Sequence, residues 1–364
     1  MSGNRFYIYI PRLNTGGAEN VVIDNISHFL DAGHTPILLT DKNQSVCLGK
    51  LDSRVSIVHV TDSIMGKLKF FFGFFASPKD KNLLVVHLLN AGLAVGLVKK
   101  IAEIFFPIKS KIFIVSHIVE SDYIRRLSFF KRLVLPRLLY FIYQRNVVIA
   151  VSEVVREDLV NKFGVSTKVI STIENPISKV DLSLASFPCD PTLVVIARLV
   201  KNKSVGFCVR AFSKASKNIN RLKLVVVGDG PLRTDLEALV DNLDCKNNVR
   251  FVGWADNVQE VFGGASILLS GSDIESFGLV YFEALANGVP VIGRRNVAID
   301  YYFSKNPYVD IVDSVDDMAS SIISRLQTIS LLSDKSDLLM GAGIDGFEAV
   351  KKYEQLLGFS KNAS

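Results

Sequence analysis

The sequence is poor in cysteine and tryptophan. Its four cysteines, Cys47, Cys189, Cys208 and Cys245, stand far apart with no C-x-x-C pair among them, which argues against a zinc site and a disulfide framework and fits a reducing cytosol. H-E-x-x-H and Ser-His-Asp arrangements are absent, and no G-x-G-x-x-G follows the first apolar run. Zinc-peptidase, triad-hydrolase and dinucleotide-dehydrogenase readings therefore lose their motifs. There is no D-x-D triplet, the nearest approach being Asp273-Ile-Glu275, so a metal-held diphosphate is not favoured. The N-terminus MSGNRFYIYI lacks the charged, apolar and cleavage-site regions of an export signal. The longest weakly charged stretch, Leu83 to Val98, contains His87, Asn90 and two glycines and falls short of the roughly 20 apolar residues that span a bilayer. A cytoplasmic chain without a transmembrane helix is expected.

What is present is ordinary globular composition, with 49% hydrophobic and 21% charged residues over 364 positions; that excludes a disordered, collagenous or coiled-coil chain and suits two medium-sized domains. The net charge of +6 is uneven. Residues 1–185 hold 23 Lys and Arg against 15 Asp and Glu, and the remainder 19 against 21. Such basic asymmetry speaks of a polyanion or an anionic membrane surface as partner and carries no information about fold.

The apolar pattern alternates strand and helix twice over. Arg5 to Ile10 reads as a buried strand, followed by the loop Pro11–Gly17, an amphipathic helix from Ala18 to Asp31 closed by Gly33, and a strand Pro36–Thr40. Runs at Ser56–Val60, Leu83–Leu88, Lys111–Ser116 and Val147–Val151 continue the series. A second series runs through Thr192–Ala197, Leu222–Val227, Val249–Val252, Ile267–Ser270 and Val289–Gly293, with helices predicted from about Ser204 and Pro231. Each half thus reads as a doubly wound α/β domain of Rossmann type. The expected boundaries are 1–178, a linker over 179–191, 192–342, and a last helix within 343–364 that could belong to either domain. Tandem domains of this kind bind ligands at the carboxyl ends of their strands, so an interdomain cleft is expected.

The most informative stretch is Glu275-Ser-Phe-Gly-Leu-Val-Tyr-Phe-Glu283, which follows the run Ile267–Ser270 after a Gly-Ser-Asp turn. Glu275 is expected at a strand-to-helix junction and Glu283 two turns along the helix. The N–H groups of Phe277, Gly278, Leu279 and Val280 would open that helix as a site for phosphate or sugar oxygens. Either glutamate alone is more readily an exposed loop or helix residue. Three further patterns accompany it: Ile196-Ala-Arg-Leu-Val-Lys-Asn-Lys203, Val227-Gly-Asp-Gly-Pro-Leu-Arg233 and Thr15-Gly16-Gly17-Ala18-Glu19. Two cations, Arg198 and Lys203, beside a helix N-terminus are what a leaving diphosphate requires, although alone they read as surface charges. Gly228 and Gly230 permit a tight turn before Pro231, which a plain strand-to-helix connection would need as well.

Together these stretches resemble the retaining glycosyltransferases of the GT-B fold, family 4, whose glutamate motif usually reads E-G-F-G-L-x-x-x-E-A-x-A-x-G-x-P-V. Here Ser276 and Ala197 stand where glycines are usual. The resemblance covers most of the chain. It implies that Arg198 and Lys203 hold the donor diphosphate, that Glu275 meets the donor sugar and Glu283 the ribose hydroxyls. It further implies that Gly228 and Gly230 line the nucleotide side, that Gly16 and Gly17 let backbone approach phosphate or sugar, and that His117 lies beside the donor sugar. The N-terminal domain would then be the acceptor side and the C-terminal domain the nucleotide-sugar side.

The first domain also mixes aromatic and basic residues. Lys67, Lys69 and the phenylalanines of 70–75 precede Lys79 and Lys81, and six basic residues between Arg125 and Arg145 stand among Phe129, Phe130, Tyr140 and Phe141. Such segments suit an anionic bilayer, with aromatics in the interface and cations on lipid phosphates; core aromatics with solvated lysines are the plainer explanation. Pro136 is expected to interrupt the second segment.

The resulting expectation is a retaining, metal-independent GT-B enzyme. It moves a sugar from a nucleotide-sugar, foremost a UDP-sugar, to a glycan or lipid-linked acceptor in bacterial lipopolysaccharide, O-antigen or capsule synthesis. No cofactor, no metal and no nucleic acid are expected, and the setting is the inner face of the cell membrane. Competing readings are a same-fold epimerase or phosphorylase, a glycoside hydrolase using Glu275 and Glu283, which leaves Arg198 and Lys203 idle, and a basic nucleic-acid binder.

Overall fold

The computed structural model describes residues 4–14, 16–41, 48–77, 82–177, 188–255, 258–329 and 346–359. The chain divides into two compact units, Met1–Pro176 with Ile344–Ser364, and Ile177–Gly343. Most of the expected linker, 178–187, lies outside the described residues.

The first unit contains β1 (Arg5–Tyr9), α1 (Gly17–Asp31), β2 (Thr35–Asp41), β3 (Ser56–Val60), α2 (Ile64–Ala76), β4 (Leu83–His87), α3 (Leu89–Phe105) and β5 (Lys111–Ser116). It continues with α4 (Glu120–Arg125), α5 (Phe129–Tyr143), β6 (Val147–Ala150), α6 (Glu153–Phe163) and β7 (Ile170–Thr172). The sheet order is β3-β2-β1-β4-β5-β6-β7, all parallel. Helices cover both faces of its central strands, and that is why they read as continuous apolar runs: Leu84, Val85, Val86, Ile112, Phe113 and Ile114 are all buried.

The second unit contains β8 (Thr192–Ile196), α7 (Val205–Ala215), β9 (Lys223–Val227), α8 (Arg233–Asn242), β10 (Val249–Gly253), α9 (Val258–Gly263) and β11 (Ile267–Ser270). Then come α10 (Leu279–Ala286), β12 (Val291–Arg294), α11 (Val297–Phe303), β13 (Val309–Val312) and α12 (Val315–Ile329). Its sheet, β10-β9-β8-β11-β12-β13, is again parallel. In both sheets the order reverses beside the first strand, at β1/β4 and at β8/β11, the switch points where ligands of doubly wound sheets bind.

The last helix, α13 (Gly346–Leu357), belongs to the first unit. Tyr353 packs edge-on against Phe29 of α1, and Glu354 Oε1 lies 2.7 Å from His34 Nε2.

Two expectations need correction here. Pro136 does not interrupt its segment, because α5 runs through it. A proline cannot donate to the carbonyl four residues back, but Arg132 is exposed there, so water can serve that carbonyl, and Arg137 Nη1 donates to Leu133 O at 2.6 Å one position on. The phenylalanine run is not a free aromatic face either. Phe71 and Phe75 are in the core, and Lys67 is tied to the buried Asp41 carboxylate at 2.5 Å.

Candidate active site

At the second switch point, two loops leave the carboxyl ends of β8 and β11. The first is clamped by backbone: Ala197 N donates to Val227 O at 3.0 Å, Leu199 N to Asp229 O at 2.9 Å, and Leu232 N to Leu199 O at 3.1 Å. This contact explains both glycines of the Gly-Asp-Gly turn. Gly228 has φ +125°, and a Cβ there would stand 2.0 Å from Ala197 O; one at Gly230 would stand 2.6 Å from Leu199 O. Their first task is thus to let two main chains touch. Between the anchored Ala197 and the buried Leu199, the Arg198 side chain is exposed, with no ion pair among the described residues.

Lys203 ends a short 3₁₀ turn, Lys201–Lys203, and its Nζ pairs directly with Glu275 Oε1 in the β11 loop. Both side chains are largely shielded, 20% and 13% exposed. The structure therefore joins two residues that are 72 positions apart in the chain.

Beyond Glu275 the loop enters the core. Phe277 is 3% exposed and stacks on Phe282, ring centroids 4.6 Å apart, so its side chain is a packing group and only its main chain remains for a ligand. Gly278 caps α10 at φ +80°, where a Cβ would meet the Tyr281 ring at 2.5 Å. The helix begins at Leu279, later than expected, and Glu283 stands one turn into it rather than two. Tyr281 N already donates to Gly278 O at 2.8 Å, while Leu279 and Val280 supply the opening N–H groups. The β11 loop is braced from below by residues the sequence did not single out. The Tyr281 hydroxyl lies 3.0 Å from Ser270 Oγ, and Asn296 Nδ2 donates to Tyr281 Oη at 3.3 Å and to Ser272 O at 3.0 Å. Burial, then the nearby Glu275 charge, holds the Tyr281 phenol well above its ordinary pKa.

In the first unit, His117 follows β5 directly, and its Nε2 lies 2.9 Å from Nδ1 of His87, the last residue of β4. Burial pushes His117 down to about 4. Burial and then its neighbour hold His87 well below the usual imidazole range. At neutral pH the pair is uncharged, so His117 works as a hydrogen-bonding group. His87 was legible only as a polar residue closing an apolar strand. Leu88, next to it, takes φ +75°, an unusual value for a bulky residue.

Below His117, the buried Glu120 carboxyl accepts from Ser116 Oγ at 2.5 Å and Tyr143 Oη at 3.3 Å, and burial pushes it up to about 8. Gly16 caps α1 in ordinary extended backbone, and Gly17 is the first helical residue; Thr15 lies outside the described residues. Each expected site residue except Glu283, which stands within α10, thus falls near a strand's carboxyl end or a helix start within its own unit.

The chain is similar to known proteins in sequence and in fold. The family description "Glycosyltransferase Family 4" matches residues 15–179, and "Glycosyl transferases group 1" matches residues 183–327. Alpha-monoglucosyldiacylglycerol synthase of Streptococcus pneumoniae is 29% identical over 201 residues, 51% of this chain and 46% of that protein. The lipopolysaccharide core biosynthesis glycosyltransferase LpsD of Rhizobium meliloti is 31% identical over 162 residues, 44% of this chain and 45% of that one. The alignments span about half or less of the length of these curated relatives. Among solved structures, Anabaena HepE in complex with UDP and glucose superposes with TM-score 0.77 at 14% identity, covering 98% of this chain and 99% of that one.

Two parallel Rossmann-like sheets superposing on that structure define the GT-B fold. Within that class, the chain belongs to the family 4, group 1 glycosyltransferases, the group to which the lipopolysaccharide and glycolipid enzymes above are similar.

Proposed function

We propose that this chain transfers a sugar, with retention of anomeric configuration and without a divalent metal, from a nucleotide-sugar to a saccharide or lipid-linked acceptor of the cell surface. The observation that carries this is the second switch point, where exposed Arg198, Lys203 paired to Glu275, and the opening N–H groups of α10 stand together. Cations and helix N–H groups stabilise a departing diphosphate, and a carboxylate beside them accepts from sugar hydroxyls. In the step itself the bond from the anomeric carbon to phosphate breaks, its electron pair leaving with the diphosphate. A phosphate oxygen takes the acceptor's hydroxyl proton, and the acceptor oxygen bonds to the anomeric carbon on the same face. No protein base is needed, which agrees with a histidine pair held neutral. UDP and glucose bound to HepE, and the glycolipid and lipopolysaccharide names of the relatives, favour a UDP-sugar donor and such acceptors.

The test is a screen of UDP-, GDP- and ADP-sugars for thermal stabilisation, followed by transfer assays in excess chelator with NMR of the product anomer. Transfer with retention in chelator is expected. Inversion, or full loss restored by Mg²⁺ or Mn²⁺, overturns the respective part.

The first unit carries the setting. No helix among the described residues is long and apolar enough to cross a membrane. On α5, however, Phe129 is 84% and Phe130 73% exposed, flanking Lys131 and Arg132, and on α3 Ile104 and Phe105 are exposed as well. On α2 the exposed apolar residues are Ile64, Met65 and Leu68 in place of the expected phenylalanines. These support docking on an anionic bilayer at the inner face of the cell membrane. Flotation with anionic vesicles should recover the chain, less so as salt rises, and Phe129→Ser with Phe130→Ser should abolish recovery while leaving Tm unchanged. Equal recovery with neutral vesicles contradicts it.

A further inference from the structure

We infer that Asp273, together with Arg294, is a positioning residue for Lys203: it fastens a strained turn that holds the Lys203 ammonium at the mouth of the β8 loop. This rests on the reading of Lys203 as a diphosphate ligand.

Ser204, the residue after Lys203 and the cap of α7, takes φ +43° and ψ +43°, left-handed backbone that a serine adopts at a cost. Such a conformation persists only where surroundings over-determine it, and here three contacts from the opposite loop do so. Ser204 Oγ donates to Asp273 Oδ1 at 2.7 Å. Asp273 N donates to Asn202 O at 3.1 Å. Gly271 lets the Ser204 carbonyl press against its backbone, since a Cβ there would stand 2.4 Å from Ser204 O.

The Asp273 carboxylate is held in turn. Arg294 Nη1, at the end of β12, donates to the same Oδ1 at 2.6 Å, and its guanidinium lies 5.1 Å from the centre of the Phe207 ring on α7. One carboxylate thereby links the Lys203 turn, the Glu275 loop, β12 and α7. Asn202 and Ser204 flank Lys203 on either side, and both are tied to Asp273, so the main chain that carries the lysine cannot shift without breaking a contact. Asp273 needs no contact with substrate for this role.

The strain supplies a distinctive test. Glycine accepts φ +43° freely, so in a Ser204→Gly chain the turn should hold without its fastening. The probe is whichever of UDP, GDP and ADP the unaltered chain binds most tightly, titrated by calorimetry. Asp273→Ala is expected to weaken that binding roughly tenfold, whereas Asp273→Asn, which keeps the Oδ1 acceptor, should restore most of it. In the Ser204→Gly background, Asp273→Ala should change affinity less than about twofold. A loss of equal size in both backgrounds, or no loss in either, overturns the proposal, and so does tighter binding once Arg294 is released. Lys203→Ala separates the underlying reading: if it binds the diphosphate as the unaltered chain does, that reading fails. If it binds weakly while Asp273→Ala binds normally, the positioning role alone fails. Tm measured on each variant guards against unfolding; Arg294→Lys, which keeps the charge but loses the planar stacked group, should give an intermediate loss in a folded chain.

Discussion

At the carboxyl ends of β8, β11 and β12 the side chains meet as ions, Lys203 with Glu275 and Arg294 with Asp273, each pair partly open to solvent. At the ends of β4 and β5, in a sheet of the same order, they meet without charge: His87 and His117 are driven to the neutral form and Glu120 is held towards its protonated one. Burial accounts for the difference. The ions sit on loops partly open to solvent, while His87 and Glu120 are buried and His117 is half-buried against His87, where a charge finds little solvation. The same scaffold thus presents ion pairs in one unit and neutral hydrogen-bonding groups in the other. Both mouths also hold one non-glycine residue in left-handed backbone beside the key side chain, Leu88 after His87 and Ser204 after Lys203. Strain at functional loops is common, and it persists because the surrounding fold enforces it.

The largest expected effect disrupts the charged mouth alone. Gly228→Ala forces a Cβ onto the Ala197 carbonyl in backbone that L-residues avoid and should destabilise the second unit by about 3 kcal/mol or more. Urea unfolding followed by Trp254, the single tryptophan and a residue of that unit, should shift markedly, whereas hydrogen exchange of the first unit should not. Equal loss in both units would show that they do not unfold as separate bodies.

Next comes the division of labour between the two glutamates. Losing a hydrogen bond to a charged group costs about 1.5–3 kcal/mol, so Glu283→Gln should weaken binding of nucleoside diphosphate and nucleotide-sugar alike by roughly ten- to hundredfold. Glu275→Gln should leave diphosphate affinity nearly unchanged, since the amide oxygen still accepts from Lys203 and the free diphosphate lacks the sugar that Glu275 is expected to meet, while lowering the transfer rate. Calorimetry with both ligands beside initial rates decides it; identical behaviour of the two variants abolishes the distinction.

The smallest effect sharpens the neutral side. A carboxyl raised in the folded chain binds its proton there after the unfolded chain has lost it, so Glu120 makes stability fall as pH rises from 4.5 to about 8. Glu120→Gln should gain on the unaltered chain across that window, by at most about 1.4 kcal/mol per pH unit. The histidines act on the other flank. Depressed in the folded state, they bind protons first in the unfolded chain, so stability falls as pH drops below 6.5 towards about 4. Tm across pH 4–8 for the unaltered chain, Glu120→Gln and His87→Asn should show each flank flattened by its own variant and by no other.

Much of the architecture was written in local pattern. The runs Lys111–Ser116 and Ile267–Ser270 are strands with the expected bounds, because parallel strands covered on both faces must be apolar along nearly their whole length; Ser56–Val60 keeps its bounds as well, although as the edge strand β3 it is exposed except at Val60. β13 and α12 were not singled out: the strand is four residues long with Asp310 inside it, too short for a period to show. Local pattern also placed the start of α10 too early, since it does not register that Phe277 stacks into the core and leaves Gly278 as the cap.

By itself, then, the sequence determined the two Rossmann-like series, the identities of Arg198, Lys203, Glu275, Glu283 and His117, and the basic, aromatic bias of the first domain. The two series and the bias follow from hydrophobic period and composition, and the five residues stand out through the resemblance of their motifs to the family; all of these are read from neighbours along the chain. Only the tertiary structure decided that Lys203 meets Glu275, that Asp273 fastens the turn at Ser204, that His87 stands beside His117, and that Gly228 and Gly230 serve a backbone contact with Ala197 and Leu199. Each of these joins residues on different strands, where parallel pairing brings carboxyl ends together whatever their separation in sequence. Whether a charge persists there depends on burial, which no local pattern records.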